Sequence, residues 1–212
     1  MKNLKLRREI IATALAMNEA RINRGKSGNV SARIAGGFLV TPSALAYEST
    51  RPEDIVAVSL AGKATGRRTP SSEWRFHRDI YAARPEVMGI VHAHSSFATT
   101  LACLGRGIPA FHYMIAVAGG TDIRCAPYAT FGTQELSDHA LAALEGRRAC
   151  LLANHGMIAV GDSLKGALAL AIEVEALAEQ YWRALQIGEP KLLSQAEMER
   201  VLEKFKSYAA TK

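Results

Sequence analysis

The segment EVMGIVHAHSSFATT, residues 86–100, decides how this chain is read. Its first half, VMGIVHAH, is a short apolar run of strand length, and SSFATTLACLG reads as the helix that follows it. In a strand, residues two apart share a face. His92 and His94 therefore present two imidazoles side by side, with Ala93 turned away into packing. Such a pair is either a bidentate set for a divalent metal or two hydrogen-bonded histidines at a strand end.

Strands and helices alternate around this segment. GNVSARI and GFLVTP form a hairpin turned at AGG, and DIVAVSL is a further strand turned by AGKATG. SSEWRFHRDIYAARP reads as a helix that stops before Pro85. DIRCAPY is a strand, and TQELSDHALAALEG is a helix capped by Thr133 and ended at Gly146. ACLLANHGMIAVG gives two strands around an Asn-His-Gly turn. Residues 4–22 and 163–187 are helical, and a Ser194/Glu197 capping box opens the last helix. This predicts an α/β fold: one domain over residues 1–212, with a central, mostly antiparallel sheet covered by helices.

With 212 residues, 49% of them hydrophobic, the chain can bury one full core. No run of eighteen apolar residues is present, and the first twenty residues, basic with Arg7, Arg8 and Glu9, lack a signal-peptide core. Cys103, Cys125 and Cys150 are odd in number and form no CxxC pair, which fits reduced thiols in the cytoplasm. The net charge of +6 comes from scattered Lys and Arg without interleaved aromatics. That pattern argues against a nucleic-acid or membrane partner and suits a small anionic ligand. No GxGxxG or P-loop pattern occurs.

Further residues extend the histidine pair. His155 lies in the ANHGM turn, where Gly156 permits tight backbone geometry. It is either a third ligand, which would leave an open position at a catalytic zinc, or a turn residue. Glu73 opens a helix, as a ligand or as a first-turn acid matching the helix dipole. His77, one helical turn on, is read as its pairing partner, His139 as solvent-facing, and His112 as either near the site or packed. Three segments of small and hydroxyl residues, KSGNVS, VTPSAL and TPSSEW, offer backbone N–H groups to a phosphate or are ordinary turns and caps.

Taken together, GNVSAR, TPSAL, SSEWRFHRDIYAARPEV, VHAHS, IPAFHYMIAVAGG, CAPYATFGT and LLANHGMIAVG resemble the class II aldolase/adducin family over nearly the whole chain. The resemblance implies a three-layer fold and a homotetramer with active sites at subunit interfaces. It implies one zinc per subunit on His92, His94 and His155, with Glu73 on or near the metal and acting as acid/base. Ser27, Gly28, Asn29, Ser43, Ala44, Ser71 and Ser72 would hold a substrate phosphate. Tyr113 and Tyr208 would serve the aldehyde end across a subunit boundary. Ala44 departs from the family, where glycine is usual. The implied reaction is reversible aldol cleavage of a ketose 1-phosphate, such as L-fuculose 1-phosphate, to dihydroxyacetone phosphate and a small aldehyde. Family alternatives are a sugar-acid phosphate decarboxylase, a deoxypentulose or ribulose 1-phosphate aldolase, and a non-catalytic module like the adducin head.

Overall fold

The structure is a computed structural model that describes the backbone of residues 2–210 and the side chains of residues 2–207. Helix α1 (Leu4–Glu19) leads into the hairpin β1 (Asn29–Ile34) and β2 (Gly37–Val40), then β3 (Val56–Ser59) and β4 (Ala64–Thr65). Helix α2 (Trp74–Ala83) precedes β5 (Gly89–Ala93), and α3 (Ser96–Cys103) follows it. After β6 (Arg124–Ala126) come α4 (Gln134–Ala143), β7 (Ala149–Leu152) and β8 (Gly156–Gly161). The long α5 (Leu164–Ile187) and α6 (Gln195–Ala210) close the chain order. Among the described residues, no helix is long and apolar enough to cross a membrane.

The expected helix starts have physical causes. The Thr133 hydroxyl accepts from Leu136 N at 3.2 Å, and the Ser163 hydroxyl accepts from Gly166 N at 3.1 Å, so α4 and α5 begin on satisfied N–H groups. Helix α1 ends three residues short of the expected boundary, because Arg21 turns the backbone left-handed at φ 59°. The AGKATG turn holds the two-residue β4, and 3-10 turns at Tyr47–Ser49, Pro52–Asp54 and Tyr113–Ala118 lie in stretches without a readable period.

Among the described residues, eight strands join one sheet in the order β4-β3-β2-β1-β5-β8-β7-β6. The sheet is mixed, and its one parallel junction corrects an expectation drawn from hairpin signals alone. Strands β6 and β7 run parallel, with Cys125 opposite Leu151, because α4 connects them as a crossover rather than a turn. The junctions β3–β4, β2–β3, β1–β2, β1–β5, β5–β8 and β7–β8 are antiparallel.

Strand β5 sits near the middle of the sheet, between β1 and β8, and every one of its residues is buried. Its faces alternate as the period of two requires. Val91 and Ala93 pack into the core under α1, α3 and α5, while Ile90 packs into the core under α2 and α4. Each buried branched side chain of this kind contributes about 1.5–3 kcal/mol. The two cores fix β5 between two helical layers. His92 lies on the α2 side of the strand, with its ring 5.4 Å from that of Phe76.

Candidate metal centre

Four side chains converge where β5 ends and β8 begins. His92 is on β5, His94 stands one residue past its end, His155 is in the β7–β8 turn, and Glu73 is the N-cap of α2. One ligand atom from each can be chosen so that all four lie within 4.8 Å of one another. The Nε2 atoms of His92 and His94 face each other at 3.0 Å. Glu73 Oε2 lies 3.1 Å from His92 Nε2, and Glu73 Oε1 lies 3.1 Å from His155 Nε2.

The backbone is shaped for this approach. A Cβ on Gly28 would fall 2.5 Å from the His92 carbonyl oxygen, so only glycine lets the chain entering β1 press against the end of β5. A Cβ on Gly156 would collide with the Ala93 carbonyl oxygen and reach 3.0 Å from His94 Cδ2. Gly156 thus serves close packing, while the left-handed residue of the turn is Asn154, at φ 55°.

The donor set fits a metal on two observations. His92 Nδ1 donates to the Met157 carbonyl at 2.9 Å, which fixes the tautomer and leaves the Nε2 lone pair for the centre. Glu73 Oε1 is buried and makes no hydrogen bond of good geometry, only the 3.1 Å approach to His155 Nε2, and a cation would satisfy it. The electrostatics agree. Burial opposes ionisation of Glu73, but His92 and His155 outweigh it and hold the carboxyl well below the usual carboxylate range. Burial, then the charges of His92 and His155, push His94 down to about 4, so it stays neutral and able to ligate. For His92, burial lowers the pKa, but Glu73 prevails and raises it. Three nitrogens and one carboxylate are donors that suit zinc and related divalent ions.

The reading of Glu73 as a dipole-matching acid does not describe what it does, since its carboxylate makes no cap hydrogen bond and points to the histidines. Nor does His77 pair with it directly: His77 bonds to Ser31 and Asn29 on β1. The sequence reading missed this buried partner set because it joins residues some 46 positions apart. His112 caps the 3-10 turn that follows, accepting from Met114 N at 3.2 Å. His139 is half-buried rather than solvent-facing, and its Nδ1 is buried without a partner.

The three hydroxyl segments meet beside the cluster. The Ser27 hydroxyl and Gly28 N both donate to Asn23 Oδ1, and Lys26 Nζ donates to the Ala44 carbonyl at 3.0 Å. Ser43 N donates to Thr69 O and Ser71 N to Thr41 O, both at 3.0 Å, which ties residues 41–44 to 69–72. Ser71 and Ser72 precede the Glu73 N-cap, and the Ser71 hydroxyl accepts from Glu73 N at 3.3 Å. Ala44 is held left-handed at φ 59°, the conformation that glycine adopts freely. Asn29 faces the cluster with its amide engaged on both sides, toward Glu73 and His77. Tyr113 is half exposed and stacks on Phe205 of α6, 6.5 Å between ring centroids. The side chain of Tyr208 lies outside the described residues.

The family model described as "Class II Aldolase and Adducin N-terminal domain" matches residues 8–182. The chain belongs to this family. Among its class II aldolase relatives is the 5-methylthioribulose-1-phosphate/5-deoxyribulose-1-phosphate aldolase of Rhodospirillum rubrum, 60% identical over 97% of this chain and 93% of that one. The L-fuculose phosphate aldolase of Escherichia coli K12 is 49% identical over 98% of this chain and 97% of its own length. A solved class II aldolase structure, an L-fuculose 1-phosphate aldolase, superposes with a TM-score of 0.94 at 42% identity, covering 97% of this chain and 98% of that one.

Proposed function

We propose that the chain catalyses reversible, zinc-dependent aldol cleavage of a ketose 1-phosphate to dihydroxyacetone phosphate and a small aldehyde. The meeting of Glu73 with His92, His94 and His155 carries this reading. As a member of the class II aldolase family, the chain is a metal-dependent aldehyde-lyase.

A divalent ion held by the three histidines and Glu73 would supply Lewis acidity, drawing off the negative charge that builds on the substrate's ketone oxygen. Glu73, ionised and buried, takes or returns the proton at the carbon that becomes nucleophilic. Ser27, Gly28, Asn29, Ser43, Ala44, Ser71 and Ser72 bind the phosphate, and that remote anchor orients the reacting bond. Tyr113 handles the proton on the oxygen that becomes the aldehyde, together with Tyr208.

The reading extends to a homotetramer with interface sites, in which the two tyrosines serve a neighbouring subunit. The half-exposed Tyr113 and the exposed Tyr128 and Phe131 support such a contact surface. It also takes residues 1–212 as one domain. The free cysteines Cys103, Cys125 and Cys150 support a place in the cytoplasm.

Two sugars compete. L-Fuculose 1-phosphate is supported by the fold likeness at a TM-score of 0.94. A 5-deoxy or 5-methylthio pentulose 1-phosphate is supported by the 60% identical relative. The test is release of dihydroxyacetone phosphate from L-fuculose 1-phosphate and from 5-deoxyribulose 1-phosphate, with and without a chelator. Chelator-sensitive release supports the aldolase, and the ratio of kcat/KM ranks the sugars. No release from either, with metal bound, overturns the reading and favours a sugar-acid phosphate decarboxylase.

A further inference from the structure

Strand β1 and helix α2 share a line of polar side chains inside the core. On β1, Asn29, Ser31 and Arg33 point to one face at a spacing of two. Glu73, at the N-cap of α2, is followed by His77 and Tyr81 at a spacing of four on one helical face. Two strand residues advance about 6.7 Å and four helical residues about 6 Å, so the two series stay in step.

Each rung is bonded. Asn29 Nδ2 donates to Glu73 Oε2 at 2.9 Å, and His77 Nε2 meets Asn29 Oδ1 at 2.5 Å. Ser31 Oγ lies 2.7 Å from His77 Nδ1 and 2.9 Å from the Tyr81 hydroxyl. At the far end, Arg33 donates to the carbonyls of Tyr81, Arg84 and Val87 and covers the Tyr81 ring at 4.8 Å. Ser31 and His77 are 0% exposed, Tyr81 1%, Asn29 3% and Glu73 5%.

The charge on Glu73 sets the direction of every bond. A carboxylate only accepts, so Asn29 must turn its NH₂ toward Glu73 and its oxygen toward His77. His77 must then donate from Nε2 and accept at Nδ1. Ser31 supplies that hydrogen and itself accepts from the Tyr81 hydroxyl. Burial, with His92 nearby, keeps His77 neutral and pushes it down to about 3, in keeping with one donor and one acceptor nitrogen. An unladdered Asn29 could rotate its amide and set oxygen against oxygen.

We infer that His77, backed by Ser31 and Tyr81, is a positioning residue: through Asn29 it presents the Glu73 carboxylate to the three histidines in one orientation. The effect on turnover rests on the aldolase reading above, whereas the effect on metal retention does not.

The experiment compares His77→Phe with His77→Gln, whose amide N–H can reach the place of Nε2. It reads kcat and zinc retention against a chromophoric chelator, with circular dichroism as a check on folding. For His77→Phe both should fall about 10- to 100-fold, the usual cost of losing an outer partner at a metal site. His77→Gln should return most of both, which a purely structural role would not give. A folded His77→Phe chain with wild-type turnover and retention, or a glutamine variant no better than phenylalanine, overturns the inference. If His77→Phe does not fold, Ser31→Ala removes one hydroxyl only and should show a smaller loss in the same two readouts. Wild-type values there overturn the inference equally. A wild-type chain that cleaves neither sugar would sink the aldolase reading and leave the retention arm to decide the ladder.

Discussion

Glu175, in the middle of α5, caps helix α3, whose N-cap is Ser95. Its Oε2 accepts from the Ser95 hydroxyl at 2.6 Å and from Ala98 N at 2.8 Å, and its Oε1 accepts from Phe97 N at 2.8 Å. The Ser95 side chain makes no cap bond to its own helix, so a carboxylate from another helix satisfies the orphan N–H groups of α3. Ser95 follows His94 directly, and this cap therefore also fixes the backbone that carries a candidate ligand.

Glu175→Ala should lower unfolding free energy by about 1.5–3 kcal/mol, the range for hydrogen bonds to a charged acceptor. Urea unfolding measures it. Zinc retention should weaken in the same variant, because His94 loses its anchored neighbour. Glu175→Gln keeps one acceptor oxygen and should fall between the two. Wild-type stability in Glu175→Ala would show that water replaces the cap.

Removing a ligand should have a larger effect. His94→Ala leaves His92, His155 and Glu73, and metal affinity should fall by more than the roughly 10- to 100-fold that outer partners cost. Metal content per chain, measured after gel filtration, should drop toward zero and cleavage with it. A metal-free His94→Ala chain with full activity would rule out the metal centre as the catalytic one.

Glu73→Gln removes the base and keeps a side chain of similar size. Turnover should fall about 10²- to 10⁴-fold, the usual contribution of general acid–base catalysis. Calorimetric binding of dihydroxyacetone phosphate should persist, since the loops around Ser27, Ser43 and Ser71 are untouched. Normal turnover would take the proton-transfer role away from Glu73.

The metal-free chain should lose stability on mild acidification. His77 and His94 are pushed from 6.5 down to about 3 and about 4, mainly by burial. Between those values and 6.5 the unfolded chain binds more protons, so stability falls as pH drops. His92 is raised, chiefly by Glu73 working against burial, and acts in the opposite sense, but it is one group against two. The urea midpoint of the chelated chain should be lower at pH 5 than at pH 7. An equal or higher midpoint at pH 5 would mean that His92 dominates.

Ala44 offers a stabilising change. Its left-handed φ of 59° costs about 1–2 kcal/mol for a residue with a Cβ. Ala44→Gly removes that strain against about 0.4–1 kcal/mol of added unfolded-chain entropy. The melting temperature should rise, and a drop would show that the alanine methyl contributes packing that outweighs the strain.

The elements were legible where local chemistry repeats. GIVHA, inside VMGIVHAH, is a buried strand because its apolar run has strand length, and Thr133 and Ser163 start helices because a hydroxyl can meet an N–H three residues on. The parallel β6–β7 junction was hidden, because strand direction depends on the path of α4 and not on either strand's residues. The local sequence leaves Glu73 open between ligand and first-turn acid for the same kind of reason: beyond the family resemblance, only the fold brings it to β5.

The sequence by itself determined that His92 and His94 present their imidazoles side by side at a strand end, since a period of two is a property of the extended chain. It also determined the loops of small residues, whose glycines and hydroxyls act over a few positions. Only the tertiary structure decided that His155 and Glu73 join that pair, that Asn29 is bonded on both sides, and that Glu175 caps a helix 80 residues away. Those contacts depend on how layers pack across the sheet, and packing responds to the summed burial of many side chains rather than to any one stretch.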